Sequence, residues 1–137
     1  MMLKKVVSII LSAVLCLGLS CIALAASTSA VITPYYVSIN DAYNEVSFSG
    51  KTAIVYAEVT CTSDVTKINI TSELQKKPGS SWSAVAQFTK TFYDNDASME
   101  STYSPASSGT YRVKTTYKAT SSKGTETHTR TSLSATY

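Results

Sequence analysis

The chain has 137 residues, with twelve Lys and Arg against nine Asp and Glu, one His and three Cys. A formal charge of +3 falls well short of the cationic excess with which nucleic-acid-binding proteins neutralise phosphates, so nucleic acid is not an expected partner. One His and scattered cysteines cannot supply a zinc-ligand cluster.

The first 25 residues read as a secretory signal. Lys4 and Lys5 form a positive start, residues 6–22 a largely apolar run, and Ala23 and Ala25 present the small side chains a signal peptidase requires. Cleavage is expected between Ala25 and Ala26. Two other fates compete: an uncleaved membrane anchor, since the apolar run approaches the ~20 residues that cross a bilayer, and lipid attachment at Cys21, which lacks the usual leucine three residues earlier. Export and cleavage place the product outside the cell with no membrane segment. About 110 residues then remain, the size of one domain with one core. Lys4 and Lys5 leave with the leader, which lowers the formal charge to +1. Cys16 and Cys21 leave as well, so Cys61 has no internal partner and the fold rests on packing.

Ser and Thr make up roughly a third of the remainder, with regularly spaced apolar residues that a glycosylated stalk would lack. Residues 26–34 read as a flexible leader and 35–137 as a single domain. Residues 35–40 and 45–49 form one kinked strand or two short ones. In 52–62, Ala53, Val55, Ala57, Val59 and Cys61 share one face, the period-two signature of a strand. Residues 66–77 repeat it with Ile68, Ile70 and Leu74. The run 76–81 holds turn residues including Pro78 and Gly79, and Trp82 opens a strand whose Trp82, Ala84, Ala86 and Phe88 share a face. A turn at 94–96, a short strand through Met99 and Tyr103, and a Ser/Pro/Gly turn at 104–109 follow. Tyr111, Val113, Thr115 and Tyr117 then alternate with Arg112, Lys114, Thr116 and Lys118; a hairpin at 121–124 leads into a polar edge strand over 126–136. About seven strands at short spacing, with no helical crossover, predict an antiparallel β-sandwich.

Gly109-Thr110-Tyr111-Arg112-Val113, placed just after the Ser/Pro turn, resembles the tyrosine corner of immunoglobulin-like and fibronectin type III-like domains, in which the Tyr hydroxyl ties back to the preceding connection. Together with the hairpin 74–85, this stretch also resembles small secreted proteins of Gram-positive, clostridial-type bacteria that have no assigned function. The resemblance implies an all-β, immunoglobulin-like or fibronectin type III-like sandwich preceded by a signal-peptide helix. It differs from antibody domains in lacking the paired cysteines, and it implies no activity.

Candidate chemistry is sparse. His128, between Thr127 and Thr129 on a polar strand, is expected to face solvent, without the base, nucleophile and orienting group that catalysis combines. Asp94, Asn95, Asp96 and Glu100 are spaced like calcium ligands but lack the glycine and full series of a calcium loop, so a polar turn bonded to its own backbone is expected. Cys61 is expected to be a buried, inert thiol. Trp82, Tyr111 and Tyr117 are expected in the core or at the corner, whereas the exposure of Tyr35, Tyr36, Tyr43, Tyr56 and Tyr93 is open. No catalytic residue, cofactor or metal is expected. The sequence supports a secreted, non-catalytic module, monomeric or weakly dimeric, that binds an extracellular protein or a cell-surface polysaccharide in an adhesive or structural role. The alternative is a secreted inhibitor or signalling factor acting on a soluble protein through the loops 76–82 or 93–98.

Overall fold

The computed structural model describes residues 38–104 and 106–137, all of them within the unit Pro34–Tyr137. The expected leader with its cut between Ala25 and Ala26, the segment 26–34, and Tyr35 and Tyr36 lie outside the described residues. Where β-branched and aromatic residues alternate with polar ones the backbone is extended, giving β1 (Ile39–Ser49), β2 (Thr52–Cys61), β3 (Val65–Lys76), β4 (Ser83–Phe92), β5 (Asp96–Tyr103), β6 (Thr110–Ser121), β7 (Gly124–Thr131) and β8 (Ala135–Thr136). No helix occurs among the described residues, and every strand pairing is antiparallel. One sheet has the order β1-β2-β5; the other runs β4-β3-β6-β7, with β8 also on β6.

Both sheets contribute to one interior. Ala57, Val59 and Met99 of the three-stranded sheet meet Ile68, Ile70 and Tyr117 of the larger one, and Val46 and Val55 meet Leu74, Tyr111 and Val113. Each fully buried Ile, Leu or Val contributes ~1.5–3 kcal/mol. Between these two apolar clusters lies a polar seam: Asn44, Ser72 and Thr115 are all buried. The Asn44 Nδ2 faces the Val113 carbonyl at 3.1 Å, the Thr115 Oγ1 at 3.1 Å and the Arg130 carbonyl at 3.0 Å, while the Ser72 and Thr115 hydroxyls bond at 2.9 Å. The seam ties β1 to β6 and β7 across the gap between sheets; these bonds offset the cost of burying the polar groups, although the Asn44 Oδ1 is buried without a hydrogen-bond donor.

The connection before β6 is held from within. Tyr111, 1 % exposed, donates its hydroxyl to the Ser107 carbonyl at 2.6 Å, the tie-back that the sequence pattern implies. Gly109 exchanges two backbone hydrogen bonds with Tyr137, at 2.8 and 2.9 Å, and its φ of +150° places any added Cβ 2.5 Å from the Lys76 Cε. Only glycine fits there without movement.

Of the two alternatives for the first strand, the described residues show a single one, β1 from Ile39, with an irregularity between Ile39 and Asp41 and with the Asn44 amide partnered in the seam. Two local expectations are corrected. Trp82 lies outside β4, and Trp82, Ala84, Ala86 and Phe88 do not share one face. Leu74 pairs with Ala86 but Gln75 with Ala84, so Val85 is an extra residue, a bulge that turns the chain over. Ala86 and Phe88 pack toward the core, whereas Ala84, opposite Gln75, lies on the outer side with Trp82. Finally, the expected strand 126–136 is interrupted. Lys114 pairs with Thr131 and Tyr111 with Ala135, so three residues of one chain segment face two of β6, and Leu133 is pushed out to 92 % exposure.

Candidate functional site

The residues singled out in the sequence do not converge. His128 is half-buried and stacks on Tyr117, its register partner, with ring centroids 6.5 Å apart, which corrects the expectation that it faces solvent. Glu126, His128 and Arg130 share the inner side of edge strand β7, and charged groups turned inward along an edge discourage pairing with another sheet. Cys61 is buried, and burial, with help from Asp96 and Glu126, pushes its thiol up to about 11, leaving almost no thiolate at neutral pH. The Asp94 carboxylate accepts the Asn95 amide at 2.7 Å, and the Asn95 carbonyl accepts the Cys61 amide, the local bonding expected of a polar turn. No group of three or more His, Cys, Asp and Glu side chains suited to a metal occurs among the described residues. None of their helices could cross a membrane, which says nothing of strands.

Register instead builds a site that no single segment reveals. Because β3 pairs with β6, the outward residues of β4, β3, β6 and β7 form one lattice on the outer face of the larger, five-stranded sheet. One of its rows is Thr89, Thr71, Thr116 and Thr129. The hydroxyls pair at 3.2 Å between Thr71 and Thr89 and at 3.3 Å between Thr116 and Thr129; Thr120 and Thr125 repeat the contact at 3.1 Å. Each hydroxyl both donates and accepts, so a paired threonine keeps lone pairs for a ligand. Lys67, Lys114 and Lys118 stand exposed among these rows, with Glu73 as the acidic group.

At one end of the lattice, Arg112 is held on two sides. Its Nε donates to the Gln75 Oε1 at 2.7 Å, Gln75 in turn bonds Glu73, and the guanidinium lies 4.2 Å from the Trp82 ring centroid. The Lys77 ammonium approaches the same ring at 5.8 Å. Such stacking holds the planar guanidinium still with its remaining N–H groups directed along the face. The β4 bulge is what brings Trp82 to this side. The result is a rigid fork beside a field of mobile lysines, a combination suited to carboxylate, sulfate or phosphate groups on a ligand rich in hydroxyls.

The outer face of the three-stranded sheet is the electrical opposite. Asp41, Glu45, Glu58, Asp96 and Glu100 are exposed there, and the outward positions of β1, β2 and β5 hold no Lys or Arg. Tyr43 and Tyr56 lie among them as a tilted pair, centroids 6.4 Å apart. Tyr43 donates to Glu45 at 2.6 Å and Tyr56 to Glu58, and these carboxylate bonds raise both phenols above their ordinary pKa. Among the described residues, the tyrosines left open by the sequence form no common patch with Trp82: Tyr43 and Tyr56 sit on the acidic face, and Tyr93, 83 % exposed, stands in the β4–β5 turn.

No family model matches the chain, and no curated protein is detectably similar to it. The alternation along β3 and β6 already set Lys67 and Thr71, and Arg112, Lys114, Thr116 and Lys118, on outward positions. Their adjacency depends on a pairing between segments about forty residues apart, which no local pattern encodes.

Proposed function

We propose that this chain is an exported, non-catalytic binding module of the fibronectin type III-like class that attaches to anionic polysaccharide at the cell surface through the cationic, threonine-lined face of its larger sheet. The leader ending at Ala25 supports export. The sheet orders β1-β2-β5 and β4-β3-β6-β7, the second with β8 also on β6, and the Tyr111 tie to Ser107 support the fold class. The observation that carries the binding role is the lattice itself: Lys67, Lys114, Lys118 and Arg112 spaced among hydroxyls on one sheet face, with Arg112 fixed by Trp82 and Gln75. Regularly spaced carboxylates along a sugar chain can meet several of these cations at once, and the hydroxyls supply neutral hydrogen bonds between them.

Affinity electrophoresis tests this. Migration through a gel containing alginate should be retarded relative to a gel containing neutral dextran, and the double variant Lys114→Glu/Lys118→Glu should lose most of that retardation. Equal mobility in the two gels would refute the reading. A soluble protein partner bound through loops is the second reading, favoured by the exposed Tyr93 ring in the β4–β5 turn; retention of a culture-fluid protein that Tyr93→Ala abolishes would select it.

A further inference from the structure

The two opposed charge patterns belong to one molecule. We propose that the acidic face of the three-stranded sheet is the docking surface for the cationic face of a second copy, so that the protein stacks head to tail. Asp41, Glu45, Glu58, Asp96 and Glu100 are displayed without a cation among the outward strand positions; Arg130 reaches only the Tyr43–Glu45 margin from β7, so much of their mutual repulsion stays uncompensated on that face. Lys67, Arg112, Lys114 and Lys118 stand on the other sheet opposite a single acid, Glu73. Both faces are antiparallel lattices with the same spacing, ~4.8 Å between strands and ~6.8 Å between outward residues, so rows of carboxylates can meet rows of ammonium groups in register. Residues 38–137 carry ten Lys and Arg and nine Asp and Glu, so copies approach with almost no net repulsion. The contact joins two different surfaces and therefore does not close on itself as a twofold dimer would; repetition gives an open stack.

The available area sets the strength. Three strands of about ten residues cover roughly 30 by 14 Å, or about 450 Å², below the ~800 Å² per partner of a standard stable interface. Stacking is thus weak and governed by salt. Sedimentation velocity of the purified protein, without polysaccharide, should show a concentration-dependent rise in sedimentation coefficient in about 20 mM salt that weakens at least about tenfold near 0.3 M, as the Debye length shrinks from about 20 Å to below 6 Å. Glu58→Lys/Glu100→Lys should sediment as a monomer, and so should Lys114→Glu/Lys118→Glu. Mixing these two variants should restore association, because each retains the face the other lacks. Circular dichroism matching the wild type shows that the surface changes leave the fold intact. A monomer at every concentration in low salt, association that salt does not weaken, or a mixture that stays monomeric would each overturn the proposal. Both readings use the cationic face, but the assays are separate: polymer retention without stacking refutes only the stack, and stacking without retention refutes only the polysaccharide reading.

Discussion

Replacing Tyr111 by Phe removes one atom from the corner and leaves the ring in place. That ring is buried, meets Phe48 edge-on at a centroid distance of 5.3 Å, and lies beneath the Lys76 ammonium at 5.6 Å; Phe preserves all of these contacts. What is lost is the 2.6 Å hydrogen bond to the Ser107 carbonyl, together with the longer contact to the Ser107 hydroxyl at 3.4 Å. A net hydrogen bond contributes ~0.5–1.5 kcal/mol, and a carbonyl left unpaired in a buried place costs ~1–3 kcal/mol. Because Ser107 is exposed, water can reach part of that carbonyl, and the expected loss is about 1.5 kcal/mol, near the lower end of the second range. For a domain of this size, that lowers Tm by roughly 6–10 °C. Urea denaturation followed by Trp82 fluorescence should show a lower midpoint at unchanged slope. A Tyr111→Phe protein melting within a degree of the wild type would show that the bond does not hold the β5–β6 connection in place.

Asn44→Ala should cost about 2–3 kcal/mol, since it strips the Val113 and Arg130 carbonyls of a donor and opens a void in the seam; chemical denaturation measures it, and a loss below half a kcal/mol would mean the seam is not structural. Gly109→Ala should destabilise by about 1–3 kcal/mol through its left-handed φ and the clash with Lys76, with Lys76→Ala relieving the steric part in a double-mutant cycle. The native Cys61 thiol should resist a disulfide reagent until the protein unfolds, and fast stoichiometric labelling at neutral pH would contradict its burial. Burial of Cys61 also links stability to pH: its folded-state pKa is raised from 9.0 to about 11, so the unfolded thiol releases its proton first. The associated stability is complete below pH 9 and is lost as pH rises toward 11; Cys61→Ser should flatten that decline.

Sequence periodicity was clearest where a strand has a buried side: Ala53 to Cys61 and Tyr111 to Tyr117 alternate in the structure as they do in the sequence. It failed where an extra residue changes the phase. Nothing in Ser83-Ala84-Val85-Ala86 marks Val85 as unpaired, yet that one bulge carries Trp82 away from the core and onto Arg112. The sequence left open whether 35–40 and 45–49 join, and acceptors on β6 and β7, far away in the chain, are what partner Asn44 within β1. His128 was assigned to solvent from its polar neighbours in sequence, whereas its cross-strand neighbour is Tyr117. Charge was least legible of all. A sum of +1 over residues 38–137 describes a nearly neutral domain, but the sum averages over two faces of opposite sign, and only the pairings β1-β2-β5 and β4-β3-β6-β7 sort the charges between them.

The most direct measurement is an amide shift map of the isotopically labelled protein titrated with a short oligouronate in low salt. The account predicts saturable shifts concentrated on Thr71, Arg112, Lys114, Thr116 and Lys118, with Glu45, Glu58 and Glu100 moving no further than they do when the protein alone is diluted, and the effect removed by salt. Shifts centred on the three-stranded sheet or on the Tyr93 turn, or no shifts at millimolar ligand, would contradict it.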